Sequence, residues 1–370
     1  MPKGRLFTSG DIGSLTLPNR LVRSATAEDM ATAEGRPTAQ LKGLYQELVS
    51  GGVGLIITGH MYVHPSGKAH AEMTGVYSDE LIPDLAELAD AVHRAGGRVV
   101  VQISHGGMQC SRDVVPETIA PSAVKAPYLK RLPREMTLGE IDAVIQAYGQ
   151  AARRAKQAGF DGVQIHGAHG YLINQFLSPY INRRTDEWGG DLESRMRFLR
   201  AVCQVVREQV GREYPLLIKL GMVDGVEGGL TVEEGAQVVA ALEEMGLDGL
   251  EISGGIGGGR VRNTRKNVKD VADEAYFRYL AQRARPVTRL PIILVGGFRS
   301  REVMEEVLTS GDTDFISMSR PLICEPDLPN RLREGVQERS SCISANRCWP
   351  DGPGEGIECK CPIDRMAIEA

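Results

Sequence analysis

Aromatic residues make up only 5% of the 370-residue chain, two of them tryptophan, and no long apolar run interrupts it. A bilayer crossing needs about 20 consecutive apolar residues, so no membrane span is expected. Excess positive charge is missing as well. Lys and Arg total 43 against 48 Asp and Glu, for a formal charge of -5. A mildly acidic chain has no general electrostatic hold on nucleic acid. The opening MPKGRLFTSG lacks the apolar core of a signal peptide, which points to the cytoplasm. Seven cysteines without a secretion signal argue against a disulfide scaffold.

What is plentiful is glycine: 43 residues, about 12% against a usual ~7%. Such a content implies many tight turns and close backbone approaches to something bound. A hydrophobic fraction of 42% suits a full core.

Short β-branched runs alternate with helical stretches throughout. Candidate strands are Arg20–Ala25, Val53–Gly59, Arg98–Ile103, Gly162–His166, Leu216–Leu220, Asp248–Ser253, Pro291–Gly296 and Asp314–Met318. Most are continuously apolar, as expected of strands covered on both faces. Helical periodicity falls at Thr38–Ser50, Asp79–Ala95, Thr137–Ala158, Asp191–Val210, Thr231–Met245, Asp273–Ala284 and Ser300–Leu308. Thr231 and Glu234 form a capping-box signature. Eight strands separated by helices predict an α/β fold, a (β/α)8 TIM barrel. An open dinucleotide-binding sheet would want a glycine fingerprint after an early strand. Here SGGIGGG, Ser253–Gly259, follows the sixth strand and runs into basic NTRKN. Leu6–Pro18 reads as a hairpin closing the barrel floor, and Gly106–Arg134 as a long insertion over the active face. Residues 1–335 then form the barrel, and 336–370 a cysteine-rich tail packed on it or on a partner subunit.

The sharpest local signal is His166-Gly-Ala-His169-Gly-Tyr171 at the end of the fourth strand, where this fold places chemistry. Two imidazoles three residues apart suit one acceptor oxygen, and Tyr171 adds a phenol that donates a proton. The alternatives are a satisfied core histidine or a zinc site recruiting His60 and His105. Gly296-Gly297 after strand seven and Ser319-Arg320 after strand eight match the usual barrel phosphate site. Lys219, closing strand five, needs an anionic partner: a flavin, or a barrel carboxylate. Gln102 suits the pyrimidine edge of such a ring, or a neighbouring carbonyl.

The strings LPNRLVRSA (Leu17–Ala25), HGAHGYLINQFLSPYINRRTDEWGG (His166–Gly190), LESRMRF (Leu192–Phe198), VGGF (Val295–Phe298) and SRPLICEPDL (Ser319–Leu328) resemble the old yellow enzyme family of FMN-dependent NADH:flavin oxidoreductases. The resemblance covers nearly the whole chain. It implies FMN at the barrel mouth, reduced by NADH or NADPH, and hydride delivery to the β-carbon of an α,β-unsaturated carbonyl compound. By that likeness His166 and His169 bind the carbonyl and Tyr171 protonates the α-carbon. Gln102 and Lys219 contact the ring, Ser24 and Ala25 lie at its O4–N5 edge, and Gly59 lines it. Gly296, Gly297, Ser319 and Arg320 hold the phosphate. A dienoyl or ring-conjugated substrate, or oxidative demethylation, is the alternative output. A homo-oligomer is the common default.

Three positions depart from the family. Ala27 replaces a Thr or Cys that tunes the flavin, with Thr26 the adjacent substitute. Gly59 replaces an alanine, leaving room beside the ring, and Ser319 replaces a glycine. In a related branch a [4Fe-4S] cluster follows the barrel. Here Cys342-Ile-Ser-Ala345-Asn-Arg-Cys348 keeps the frame but loses the second ligand. A cluster would have to recruit Cys361; Cys342, Cys348, Cys359 and Cys361 would alternatively hold zinc, or the tail is a relic. With no second flavin domain expected after residue 370, the simple ene-reductase cycle is favoured.

Overall fold

A computed structural model describes residues 4–360 apart from 127, 128, 130 and 353. Cys361, one of the cysteines considered for a metal, therefore lies outside the described residues. Eight parallel strands close on themselves: β1 Leu21–Arg23, β2 Leu55–Ile57, β3 Val99–Ser104, β4 Gly162–Gly167, β5 Leu216–Gly221, β6 Gly249–Ser253, β7 Ile292–Val295 and β8 Phe315–Met318. Val22 pairs with Leu55 and Ser317 with Val22, which joins the two ends of the sheet. This is the predicted (β/α)8 barrel.

Its apolar runs are explained by the two-residue period of a strand. Val22, Leu55, Ile57, Val100, Leu217, Ile293 and Phe315 point inward, capped from below by Ile12, Leu15 and Leu17. Those three come from the expected hairpin, Gly10–Ile12 against Leu15–Leu17. Their neighbours Leu21, Ile56, Val99, Leu216 and Ile292 face outward into the larger core beneath the helices.

The main helices are α1 Ala39–Ser50, α2 Ile82–Arg94, α3 Leu138–Gln157, α4 Leu192–Val210, α5 Val232–Ala241, α6 Arg278–Ala284, α7 Arg301–Thr309 and α8 Leu328–Glu334, with short helices at Leu172–Leu177 and Arg320–Cys324. The Thr231–Glu234 capping box forms, and Thr137–Glu140 supplies another. The sixth helix starts later than its periodicity suggests, because Val271–Asp273 is a separate tight turn. Among the described residues, no helix is long and apolar enough to cross a membrane.

The 106–134 insertion pairs Ile119–Ala120 with Arg134–Glu135. Arg131 donates to the carbonyls of Cys110, Val115 and Pro116, holding the insertion together. Met61 and Tyr62 are buried in the core, with Tyr62 stacked on Tyr77. Residues beyond α8 cross the C-terminal ends of the strands. Ser340 N–H donates to Arg299 O, Asn267 N–H to Ser344 O and Ile357 N–H to Glu28 O.

Candidate active site

At the C-terminal end of the barrel lies a cavity of about 260 Å³. Eight residues singled out from sequence line it: Ser24, Ala25, Thr26, His169, Lys219, Gly297, Ser319 and Arg320. Ala27 lines it too, as do Ser344, Asn346, Cys348, Trp349 and Ile357 from the tail. Gly59, Gln102, His166, Tyr171 and Gly296 are not in direct contact with this space.

Below the cavity floor, strand register builds a polar network through the barrel. Lys219 sits opposite both His166 and Glu251 on the adjacent strands. Its ammonium lies 3.2 Å from Glu251 and donates to Ser24 Oγ at 2.7 Å. Ser24 and Ser317 hydroxyls donate to the same Glu251 oxygen. Gln102 donates to Gln164 at 2.6 Å, and Gln164 to the other Glu251 oxygen at 3.0 Å. The anion that Lys219 requires is thus a barrel carboxylate already in place. Gln102 likewise has a partner of its own.

Glycine and arginine define one end. Gly297 has φ +78, and a Cβ there would stand 2.8 Å from the Tyr276 ring. Only glycine keeps its backbone bare on the cavity wall. Arg320 donates to Arg265 O at 2.6 Å and to Asn346 Oδ1, which ties this end to the loop after β6 and to the tail. Ser319 Oγ meets Thr26 Oγ1 at 2.8 Å, and Thr26 also accepts from Arg23 at 2.6 Å. With a further bond to Ser24 O at 3.0 Å, the Thr26 hydroxyl is committed to Arg23, Ser319 and Ser24.

Imidazoles crowd the other end. The His166 ring centroid lies 5.3 Å from His169, 4.8 Å from Tyr171 and 6.0 Å from His60. His60 is 5.0 Å from Tyr171, edge-on. His169 Nε2 meets Ser253 Oγ at 2.7 Å. His60 Nε2 meets His70 Nε2 at 3.1 Å, and His70 pairs with Asp29 at 2.5 Å. Burial drives all three inner imidazoles toward neutrality, aided by neighbouring cationic groups. His60 and His166 titrate well below the ordinary range, and His169 is pushed down to about 3. Burial raises the Tyr171 phenol, keeping it protonated. Nδ1 of both His60 and His166 finds no hydrogen-bond partner among the described residues.

His60 entered the sequence reading only as a zinc ligand with His105. His105 bonds Ser66 instead, at 3.0 Å. Among the described residues, no group of three His, Cys, Asp or Glu side chains is arranged for a metal. Cys359, one of the expected ligands, is in a disulfide with Cys324. Cys342 and Cys348 are buried, and Cys348 lines the cavity.

Sequence reasoning also missed Glu28, and with it the real neighbourhood of Gly59. A Cβ on Gly59 would lie 1.9 Å from Glu28 Oε2 and 2.5 Å from Thr26 O. The space expected beside this glycine is filled by that carboxyl. Glu28 accepts from Tyr45 OH at 3.2 Å, lies 3.9 Å from Arg23, and is pushed up to about 7 by burial. The sole local hint was an acidic residue directly after the SATA segment.

A family model for the NADH:flavin oxidoreductase / NADH oxidase family matches residues 5–339. The chain belongs to this family. It is an old-yellow-enzyme-like flavin oxidoreductase, with the cofactors of that family, FMN and NAD(P)H. An NADH oxidase of Thermoanaerobacter brockii is 37% identical over 98% of this chain and 56% of its own length. An NADPH dehydrogenase of Geobacillus sp. (strain WCH70) is 35% identical over 92% of this chain and 96% of its own. A solved 2-naphthoyl-CoA reductase complex superposes with a TM-score of 0.86 at 31% identity, over 93% of this chain and 54% of that one. The chain thus spans about half the length of some of the relatives it matches.

Proposed function

We propose that the protein is an FMN-dependent ene-reductase that takes reducing equivalents from NAD(P)H and reduces the double bond of small α,β-unsaturated carbonyl compounds. The observation that carries this reading is the trio His166, His169 and Tyr171, desolvated and uncharged beside a cavity whose far end is cationic. The side chains suit FMN. Arg320, Ser319 and the bare backbone of Gly297 would hold its phosphate, and Ser24, Ala25, Thr26 and Lys219 its ring. When bound, FMN supplies the hydride.

The chain's own groups do the rest. A neutral imidazole donates one N–H, so His166 and His169 would hold the substrate carbonyl and stabilise charge growing on its oxygen. Tyr171, kept protonated by burial, would give the proton to the α-carbon. His60 adds a third imidazole wall. The site takes no part in binding membranes or nucleic acid on this reading, and the reaction belongs in the cytoplasm, where NADH and NADPH are supplied. Assembly as a homo-oligomer is part of the same reading.

A second output, reduction of a ring-conjugated or dienoyl thioester, is favoured by the likeness to 2-naphthoyl-CoA reductase. Anaerobic NADPH oxidation by the flavin-loaded protein, with and without 2-cyclohexenone, tests the main reading. Enone-dependent consumption with formation of the saturated ketone is expected. A protein that takes up no FMN, or ignores every enone, overturns it.

A further inference from the structure

The glycine-rich segment after β6 lies outside the chemistry described so far. Residues 254–269 contain five cations, Arg260, Arg262, Arg265, Lys266 and Lys269, and no acid, in a chain whose net charge is -5. Among the described residues, no carboxylate pairs with Arg260, Arg262, Arg265 or Lys266. These four line a cavity of about 690 Å³. Arg260, Arg262 and Lys266 are exposed.

Their backbone is fixed rather than free. Gly255 N–H donates to Val223 O, Arg260 N–H to Gly225 O and Asn267 N–H to Ser344 O. Arg320 clamps the Arg265 carbonyl, and the Arg265 guanidinium stacks over Tyr276 at 4.8 Å. Four like charges held on one rim repel one another at a cost unless an anion joins them. Asn263, Thr264 and Asn346 line both this cavity and the flavin cavity, so the two meet. A ligand whose reactive end lies over the flavin has its other end on this rim.

We infer that this loop is a binding site for the phosphorylated adenosine diphosphate end of a nucleotide whose reactive end enters the flavin cavity. Two carriers share that chemistry. NADPH bears the extra phosphate on the 2′ oxygen, and a coenzyme A thioester on the 3′ oxygen. A diphosphate plus a monoester carries about four negative charges, matched by the four lining cations, with guanidinium groups suited to bidentate phosphate contacts. The site rests on the ene-reductase reading for its reactive partner, but its binding is measurable without turnover.

The test is calorimetric titration of the flavin-loaded full chain with adenosine 2′,5′-bisphosphate and with adenosine 3′,5′-bisphosphate. At least one binds, more weakly as salt rises. Tighter binding of the 2′ isomer assigns the site to NADPH, and of the 3′ isomer to a coenzyme A ester. In the R260A/R262A/K266A variant the dissociation constant rises about tenfold or more. Turnover driven by reduced nicotinamide mononucleotide, which lacks the adenosine part, keeps its kcat and KM in that variant. Failure of both isomers to bind, or equal binding by variant and wild type, overturns the site. If the mononucleotide drives no enone reduction in the wild type, the function reading falls instead, while the titration still decides the site.

Discussion

The two sides of the barrel-mouth cavity pose opposite electrostatic problems. At the ends of β2 and β4, His60, His166 and His169 are buried among one another and lose their charge. At the ends of β6 and β8, Arg320 and the basic rim face carbonyls and solvent. Desolvation disfavours the charged form of a histidine, whereas an arginine stays protonated and recruits acceptors instead. A neutral N–H suits a carbonyl oxygen that gains charge only during reaction; a permanent cation suits a permanent anion. Lys219 separates the two ends, its charge absorbed by Glu251.

The largest effect is expected at the neutral end. Tyr171→Phe removes one oxygen and keeps the ring packed against His60 and His166. Enone turnover should fall by about 10²–10⁴-fold. The rate of flavin reduction by NADPH, followed by stopped-flow bleaching, should stay close to wild type. Equal losses in both half-reactions would erase the proposed division between proton donor and anion anchor.

The next effect belongs to the buried carboxyl where the tail crosses the barrel. Burial lifts Glu28 from 4.5 to about 7, and its carbonyl accepts from Ile357. A group whose folded value is raised favours folding fully below its unfolded value. That contribution is lost as pH rises through the folded one. From pH 4.5 to 8 the wild type should therefore lose up to about 3 kcal/mol relative to Glu28→Gln. Urea unfolding of both proteins at pH 5 and pH 8 measures the difference. A gap that does not change with pH would mean that Glu28 is ionised in the fold.

Local pattern carried the fold well. The eight strands lie within the runs of apolar residues, trimmed or extended by a residue or two, because burial on both faces leaves an unmistakable run. That His166, His169, Tyr171, Ser319 and Arg320 gather at one end of the barrel was legible, because a barrel puts strand ends on one face. What stayed hidden is contact across the barrel. Ser24 and Glu251 are 227 positions apart yet share a hydrogen bond, and no periodicity encodes that meeting. Glu28 against Gly59 escaped for the same reason, and so did the Asp29–His70–His60 chain. The tail failed differently. Cysteine spacing suggested ligands for a metal, but Cys324, deep in an unrelated string, lies close enough to Cys359 to bond it. Proximity decides that pairing, and spacing alone does not contain it.

The smallest expected effect sharpens the comparison from the cationic side. Cys324 follows Ile323, Cys359 follows Ile357 by two residues, and both isoleucines line the barrel-mouth cavity. Breaking the bond with Cys359→Ser frees the closing segment, while the barrel keeps its strand pairing. Such local opening costs far less than global unfolding, so only part of the ~2–4 kcal/mol typical of a disulfide should reach the barrel's own stability. The thermal midpoint should fall by about 2–4 °C. Flavin should dissociate a few times faster, because Ile357 and the tail side chains beside Arg320 lose their fixed position. Among the described residues the imidazoles are held by Ser253, His70 and one another rather than by these side chains, so the enone KM at saturating FMN should not move. A change in that KM would show that the tail shapes both ends of the cavity, and that the neutral and cationic halves are not independent.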